Sequence, residues 1–272
     1  HQYQVKRSKY KVHYIYVQHS LVSLHMIYRK GAFDHYTTIF CAGPHQVREI
    51  RAMEERYNLP VKNIVEHGYG RLDSIIEDSK KLPKKVKVDG EPLHVLIAPT
   101  WGEKGTLESG LGKKIIDKLI LEGFRVTLRP HPQTLKFSRD KVDEILKKYA
   151  EEKLFSCEDD VDGKESLYNS DVMVSDWSGV ALEYAFGLNI PIYFVNVPRK
   201  INNENYEELG IEPFEVFIRK TIGHIMRDND VLEISNIITT SRNKNVFSKY
   251  VFNIGCSSRI GGRFIKNALQ YK

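Results

Sequence analysis

Residues 171–195 read DVMVSDWSGVALEYAFGLNIPIYFV, and this stretch decides the fold. A short apolar strand (Asp171–Val174) runs into a polar turn, Ser175-Asp176-Trp177-Ser178-Gly179. An amphipathic helix follows, and Pro191 opens a second apolar strand. A strand–loop–helix–strand unit leaves backbone N–H groups unpaired at the helix N-terminus, where the helix dipole is positive, and such an end attracts phosphate. The same residues also read as a plain capped helix, with Ser175, Asp176 or Ser178 as the N-cap.

Outward from this unit the same alternation recurs. Upstream, strand His94–Ala98 ends at Pro99-Thr100-Trp101, helix Leu111–Glu122 follows, and strand Arg125–Leu128 ends at Arg129-Pro130-His131-Pro132. Helix Arg139–Glu152, strand Lys153–Ser156 and a short helix Lys164–Asn169 complete the run. Before it, strands Val12–Val17, Thr38–Cys41 and Asn63–Glu66 alternate with helices His45–Tyr57 and Ser74–Ser79, the first opened by Pro44 in the place proline favours. Short apolar strands alternating with amphipathic helices predict doubly wound parallel sheets, whose ligands sit beyond the C-terminal strand ends. Residues 80–92 (KKLPKKVKVDGEP) read as a linker. It divides a partial N-terminal α/β domain, 1–79, from a C-terminal nucleotide-binding α/β domain, 93–272. The signal weakens after Lys200, with a terminal helix at Gly261–Leu269.

The bulk properties narrow the class. The chain has 272 residues, 41% hydrophobic and 28% charged, with a mean hydropathy of −0.40, as expected of a water-soluble globular protein. No apolar run approaches the roughly 20 residues that span a bilayer. The N-terminus is polar and basic, unlike a signal peptide. Cys41, Cys157 and Cys256 are far apart, odd in number and form no CxxC pair, which argues against a disulfide framework or a structural zinc and for a reducing, cytoplasmic setting. The net charge of +6 implies an anionic partner. Its concentrations at Lys6–Lys11 and Lys80–Lys87 carry no nucleic-acid-binding signature.

Several side chains sit where chemistry is expected. His19, at the end of the first strand, can serve as a general base near neutral pH or bond to backbone as a loop residue. His131 lies between two prolines that fix the backbone and oppose helix there, beside the phosphate-matching fork of Arg129. Thr100 and Trp101 precede GEKGTLESG, which matches neither GxGxxG nor a P-loop. Glu183 can bond a ribose or face solvent. No paired-carboxylate or GxSxG signal is present.

Together these segments resemble the CDP-glycerol glycerophosphotransferase family of teichoic-acid polyol-phosphate transferases, in the GT-B superfamily. Its YAPTWR-like strand end matches Ile97-Ala98-Pro99-Thr100-Trp101, and its LHP-type turn matches Arg129-Pro130-His131-Pro132. Its SDYSS turn matches Ser175-Asp176-Trp177-Ser178-Gly179, and a GYPRLD-like turn matches Gly68-Tyr69-Gly70-Arg71-Leu72-Asp73. Two departures stand out: Gln18-His19-Ser20 where the family has Trp-His-Gly, and Gly179 in place of the second serine. The first domain is shorter than a whole Rossmann half, consistent with a truncated chain or a reduced subfamily.

The resemblance implies a GT-B-like α/β fold of two Rossmann-like parallel-sheet domains with an interdomain cleft. It implies transfer of glycerol or ribitol phosphate from a CDP-activated donor to a hydroxyl of a surface glycan or teichoic-acid-like polymer. Cationic side chains and a helix end can replace a metal at the leaving group, so no metal and no cofactor are expected, and the basic surface suits an anionic polymer or the inner face of a membrane. His19 and His131 are then the catalytic residues. Thr100, Arg129, Ser175, Asp176, Ser178, Gly179 and Glu183 bind substrate, with Arg129 and His131 countering the diphosphate charge. Two alternatives remain open on sequence: a GT-B glycosyltransferase or sugar-nucleotide epimerase using a UDP-sugar or CMP-sugar, and a non-catalytic nucleotide or anionic-glycan binding module.

Overall fold

A computed structural model describes residues 7–83, 90–160, 165–227 and 249–270. The centre of the expected linker (84–89), Lys6 and Lys164 lie outside the described residues. The chain divides into two compact units, one of His1–Asp78, Ile201–Phe217 and Val246–Lys272, the other of Ser79–Lys200 and Ile218–Asn245.

In the first unit, β1 (Ile15–Val17), β2 (Thr38–Cys41) and β3 (Asn63–Glu66) form a parallel sheet in that order. Helices α1 (Leu24–Ile27), α2 (Pro44–Arg56) and α3 (Gly70–Lys81) connect or follow these strands. The central strand β2 is buried along its whole length, and Ile39 and Cys41 pack with Leu24, Tyr28, Phe33 and Ile50. Pro44 occupies the helix start where its missing N–H costs nothing.

In the second unit, six parallel strands run β6-β5-β4-β7-β8-β9. They are β4 (His94–Ile97), β5 (Arg125–Leu128), β6 (Phe155–Cys157), β7 (Val172–Ser175), β8 (Ile192–Val195) and β9 (Gly223–Met226). Helices α4 (Leu111–Leu121), α5 (Pro132–Phe137), α6 (Arg139–Lys148), α7 (Glu165–Asn169) and α8 (Gly179–Leu188) join them, and α9 (Phe214–Ile222) leads into β9. Strands β4, β7 and β8 are buried throughout, which explains why each reads as a continuous apolar run rather than an alternation. The chain reverses its winding between the adjacent strands β4 and β7, and crevices at such switch points take ligands at the C-terminal strand ends.

Two expectations change. The second unit is not 93–272, because 201–217 and 246–272 group with the first sheet. In α10 (Ser257–Gln270), the Phe264 ring lies edge-on to Phe40 of β2 at 5.3 Å, and Asp73 accepts from the Ser257 backbone and hydroxyl. The Pro130–Pro132 turn does not oppose helix: Pro132 opens α5 and His131 is its N-cap.

Candidate active site

In the second unit the ends of β4, β5, β7 and β8 are tied into one network. Asp176, 1% exposed, accepts from the Thr100 backbone N–H at 2.6 Å, the Thr106 N–H at 3.3 Å and the Thr106 hydroxyl at 2.6 Å. Its carboxylate therefore shapes the loop after β4, because a buried charge of this kind needs several donors. Ser175 donates its hydroxyl to the Ala98 carbonyl at 2.6 Å, which fastens β7 to the end of β4. Trp177 donates its indole N–H to the Val197 carbonyl at 2.9 Å and so tethers the chain beyond β8. Buried Arg219 lies 3.8 Å from the Trp177 ring centre and donates to the Val195 carbonyl at 3.1 Å. Burial lowers its pKa to about 10 although Asp176 opposes the shift, so it stays charged.

His131 stands above this network with its ring centre 6.1 Å from that of Trp101. Its Nδ1 accepts from the Gln133 backbone N–H at 3.1 Å. Burial, reinforced by the charge of Lys200, lowers its pKa to about 4. The ring is thus neutral at neutral pH, and since Nδ1 uses its lone pair as an acceptor, the proton resides on Nε2. His131 offers a hydrogen-bond donor rather than the positive charge expected of it. Arg129 is likewise matched locally, its Nε 3.4 Å from Glu158.

Ser178 is the N-cap of α8, yet its hydroxyl makes no capping bond. Gly179 opens the helix, so this terminus keeps unpaired backbone donors beside a hydroxyl that does not cap them. Glu183 is buried within α8, which removes the solvent-facing alternative. The structure thus joins Thr100, Ser175 and Asp176 in one bonded network that reaches His131 through Trp101. Sequence reasoning missed Lys200 and Arg219. Lys200 lies 3.2 Å from the Thr100 hydroxyl and 4.1 Å from the Trp101 ring centre. Its position beyond the end of β8 was the one signal available.

His19 belongs to the first unit, at the end of β1. Its Nδ1 lies 3.0 Å from the Tyr16 hydroxyl and its Nε2 3.5 Å from that of Tyr28. Burial lowers its pKa from the ordinary 6.5, so the ring holds a lone pair at neutral pH. The His19 carbonyl is held in place: the Tyr69 hydroxyl donates to it at 2.9 Å. Next in sequence, Gln46 holds Ser20 and Val22, and His45 reaches the Leu21 carbonyl at 2.8 Å. Glu215 accepts from the Ser23 N–H at 2.8 Å and hydroxyl at 2.9 Å, while Glu49 accepts from Leu24 at 2.5 Å. None of these anchors was foreseen.

Among the described residues no group of three or more His, Cys, Asp or Glu side chains could hold a metal ion, and no helix is long and apolar enough to cross a membrane. All three cysteines are free.

The fold has known counterparts. The UDP-GlcNAc 2-epimerase of Methanocaldococcus jannaschii in complex with UDP-GlcNAc and UDP is 13% identical at a TM-score of 0.54, over 87% of this chain and 62% of that one. The UDP-GlcNAc 2-epimerase of Neisseria meningitidis bound to UDP-GlcNAc is 12% identical at 0.56, over 90% and 69%. S. aureus MnaA with UDP is 14% identical at 0.55, over 86% and 60%. The chain thus spans about three fifths of the length of the first and last of these. At such identities the likeness concerns the fold alone, and the GT-B-like α/β class expected from the sequence is the one found. No curated protein matches the chain. Residues 26–232 match the family model described as CDP-Glycerol:Poly(glycerophosphate) glycerophosphotransferase, and the chain, with its strand-end turns in that family's order, belongs to this family.

Proposed function

We propose that the chain transfers glycerol phosphate or ribitol phosphate from a CDP-activated donor to a hydroxyl of a cell-surface glycan or teichoic-acid-like polymer, releasing CMP. One observation carries the reading: neutral His131, with its proton on Nε2, shares the C-terminal strand ends of one sheet with an α8 terminus whose Ser178 hydroxyl makes no capping bond. Backbone donors, a hydroxyl and an imidazole N–H are what a diphosphate needs from a helix end.

In the reaction the acceptor oxygen forms a bond to phosphorus as the phosphorus–oxygen bond to CMP breaks. The electron pair leaves on the CMP oxygen, and the acceptor proton passes to His19. Base assistance of this type contributes about 10²–10⁴-fold. Donors aimed at the departing oxygen stabilise its growing charge. Ser178, Gly179 and His131 hold the diphosphate, while Thr100, Ser175 and Asp176 shape the loops that present it. Arg129 and Glu183 are assigned to the same donor. The net charge of +6 favours an anionic acceptor and the anionic inner face of a membrane.

Calorimetry with CDP-glycerol, CDP-ribitol, CMP, UDP-N-acetylglucosamine and UDP tests the reading without knowledge of the acceptor. Cytidine-selective binding that weakens in Ser178→Ala supports it and names the donor. A uridine preference moves the assignment to a sugar-nucleotide enzyme, and failure to bind any of the five reduces the chain to a binding module for other anions.

A further inference from the structure

Lys200 is a cation with nothing of opposite charge in contact among the described residues. Among the described residues its ammonium has one hydrogen-bond acceptor, the Thr100 hydroxyl at 3.2 Å, and one aromatic face, Trp101 at 4.1 Å. The two carboxylates that pull on it electrostatically, Asp176 and Glu108, are engaged elsewhere. Asp176 is occupied by three donors from Thr100 and Thr106. Glu108 accepts from the Thr134 hydroxyl at 2.8 Å and from the Gly102 N–H at 3.4 Å. A half-buried ammonium left with a hydroxyl and an indole is incompletely compensated for the water it has lost. Burial accordingly lowers its pKa to about 8, with Asp176 and Glu108 opposing the shift.

Its position is enforced. The indole of Trp177 holds the Val197 carbonyl, Val197 closes a turn on Val195 at 3.0 Å, and the chain reaches Lys200 beside the end of β4. There it meets Trp101, whose ring also neighbours His131, and its charge contributes to keeping that histidine neutral. The charge His131 lacks is thus present one side chain away. A compact ammonium is a point-charge partner for phosphate, as an imidazole N–H is not.

We propose that Lys200 is a charge-bearing residue of the donor site, binding the anionic phosphate oxygens of the nucleotide donor and of departing CMP. This rests on the donor site described above and adds a residue that discriminates charged from uncharged ligands. An ammonium kept only as a strut for Trp101 would have no such selectivity.

The test is calorimetry on the whole chain with CDP, inorganic pyrophosphate and cytidine, for wild type, Lys200→Met and Lys200→Arg. Methionine keeps the length and packing of the stem without charge. Lys200→Met is expected to weaken CDP and pyrophosphate by about 10- to 100-fold, to leave cytidine unchanged, and to melt as wild type does. Lys200→Arg is expected to recover most of the affinity. Wild-type affinity for CDP should fall as pH rises through about 8, where the ammonium loses its proton. The groups around it that can titrate or carry charge are His131, Asp176 and Glu108, and His131, its pKa lowered to about 4, stays neutral throughout that range. Lys200→Arg should hold its affinity there.

Unchanged CDP and pyrophosphate binding in Lys200→Met overturns the proposal, as does an equal loss for cytidine, which would mark a structural strut. If wild type binds UDP and not CDP, the same series is run with UDP: a loss there upholds Lys200 while the cytidine reading fails. Wild type that binds no nucleotide and no pyrophosphate overturns both.

Discussion

The two histidine turns solve opposite problems with similar means. At the end of β1, the backbone of His19 and of the residues after it is bonded to Tyr69, Gln46, His45, Glu49 and Glu215, while the His19 ring meets the hydroxyls of Tyr16 and Tyr28. At the end of β5, His131 spends a ring nitrogen on capping α5 and packs against Trp101. Both rings are neutral at neutral pH, and both owe this first to burial. The difference lies in which lone pair is committed. His131 has given its acceptor nitrogen to the backbone, so it can only donate. The His19 nitrogens face tyrosine hydroxyls, which can give or take a proton according to the ring's tautomer. A base and a donor are thus distinguished by local hydrogen bonding more than by residue type.

The sharpest way to break this comparison is His19→Ala. Turnover should fall about 10²–10⁴-fold with the affinity for CDP unchanged, because the acceptor side alone is altered. A neutral base must be regenerated by proton loss, so the wild-type rate should decline as pH falls through a value below the ordinary histidine pKa of 6.5, and the variant should lack that acid limb. Equal loss of donor affinity in His19→Ala would erase the distinction between the two turns.

The next largest effect concerns what holds the second turn. Asp176→Ala strands the N–H groups of Thr100 and Thr106 in a buried place. The expected cost is on the order of 3 kcal/mol of stability, read as a lowered melting temperature. An unaltered melt would mean that the β4 loop is held without this carboxylate.

Much of this was legible before the fold was known, for a physical reason. Strands Thr38–Cys41, Asn63–Glu66 and Arg125–Leu128 match their expected bounds because apolar runs between turn residues leave little freedom. Proline misled at 130–132: it bars the middle of a helix but favours the first position, and the pattern alone did not say which. The tail after Lys200 hid α9 and β9, since GHIM at an edge has no distinctive period. In the sequence, Lys200 offered only its place beyond the end of β8. Its meaning comes from Thr100, a hundred residues away in sequence, and from the commitment of Asp176 and Glu108 to other donors. Sequence order marks strand ends well; it does not reveal which charges there are already spent.

A finer test exploits the cap. His131→Asn retains a side chain that caps helices well while removing the imidazole N–H and the contact with Trp101. Its melt should match wild type, with donor affinity about 10-fold weaker. His131→Ala should lose the same affinity and about 1 kcal/mol of stability besides. If asparagine restores affinity as well as stability, His131 serves only as a cap.

The smallest expected effect comes from Tyr16→Phe, which removes the hydroxyl 3.0 Å from His19 Nδ1 and leaves the ring that packs against Phe33 and Tyr36. If Nδ1–H donates to that hydroxyl, the lone pair sits on Nε2, whose contact with Tyr28 is long at 3.5 Å, and Nε2 is the basic atom. Losing the bond frees the tautomer and the ring angle without touching the donor site. Turnover should then drop only a few-fold, with CDP affinity and melting temperature unchanged, since one neutral hydrogen bond is worth about 1 kcal/mol. A loss as large as that of His19→Ala would instead make the tyrosine hydroxyl itself a participant in proton transfer. Its own pKa, pushed up to about 12 chiefly by burial, makes it a poor base for that task.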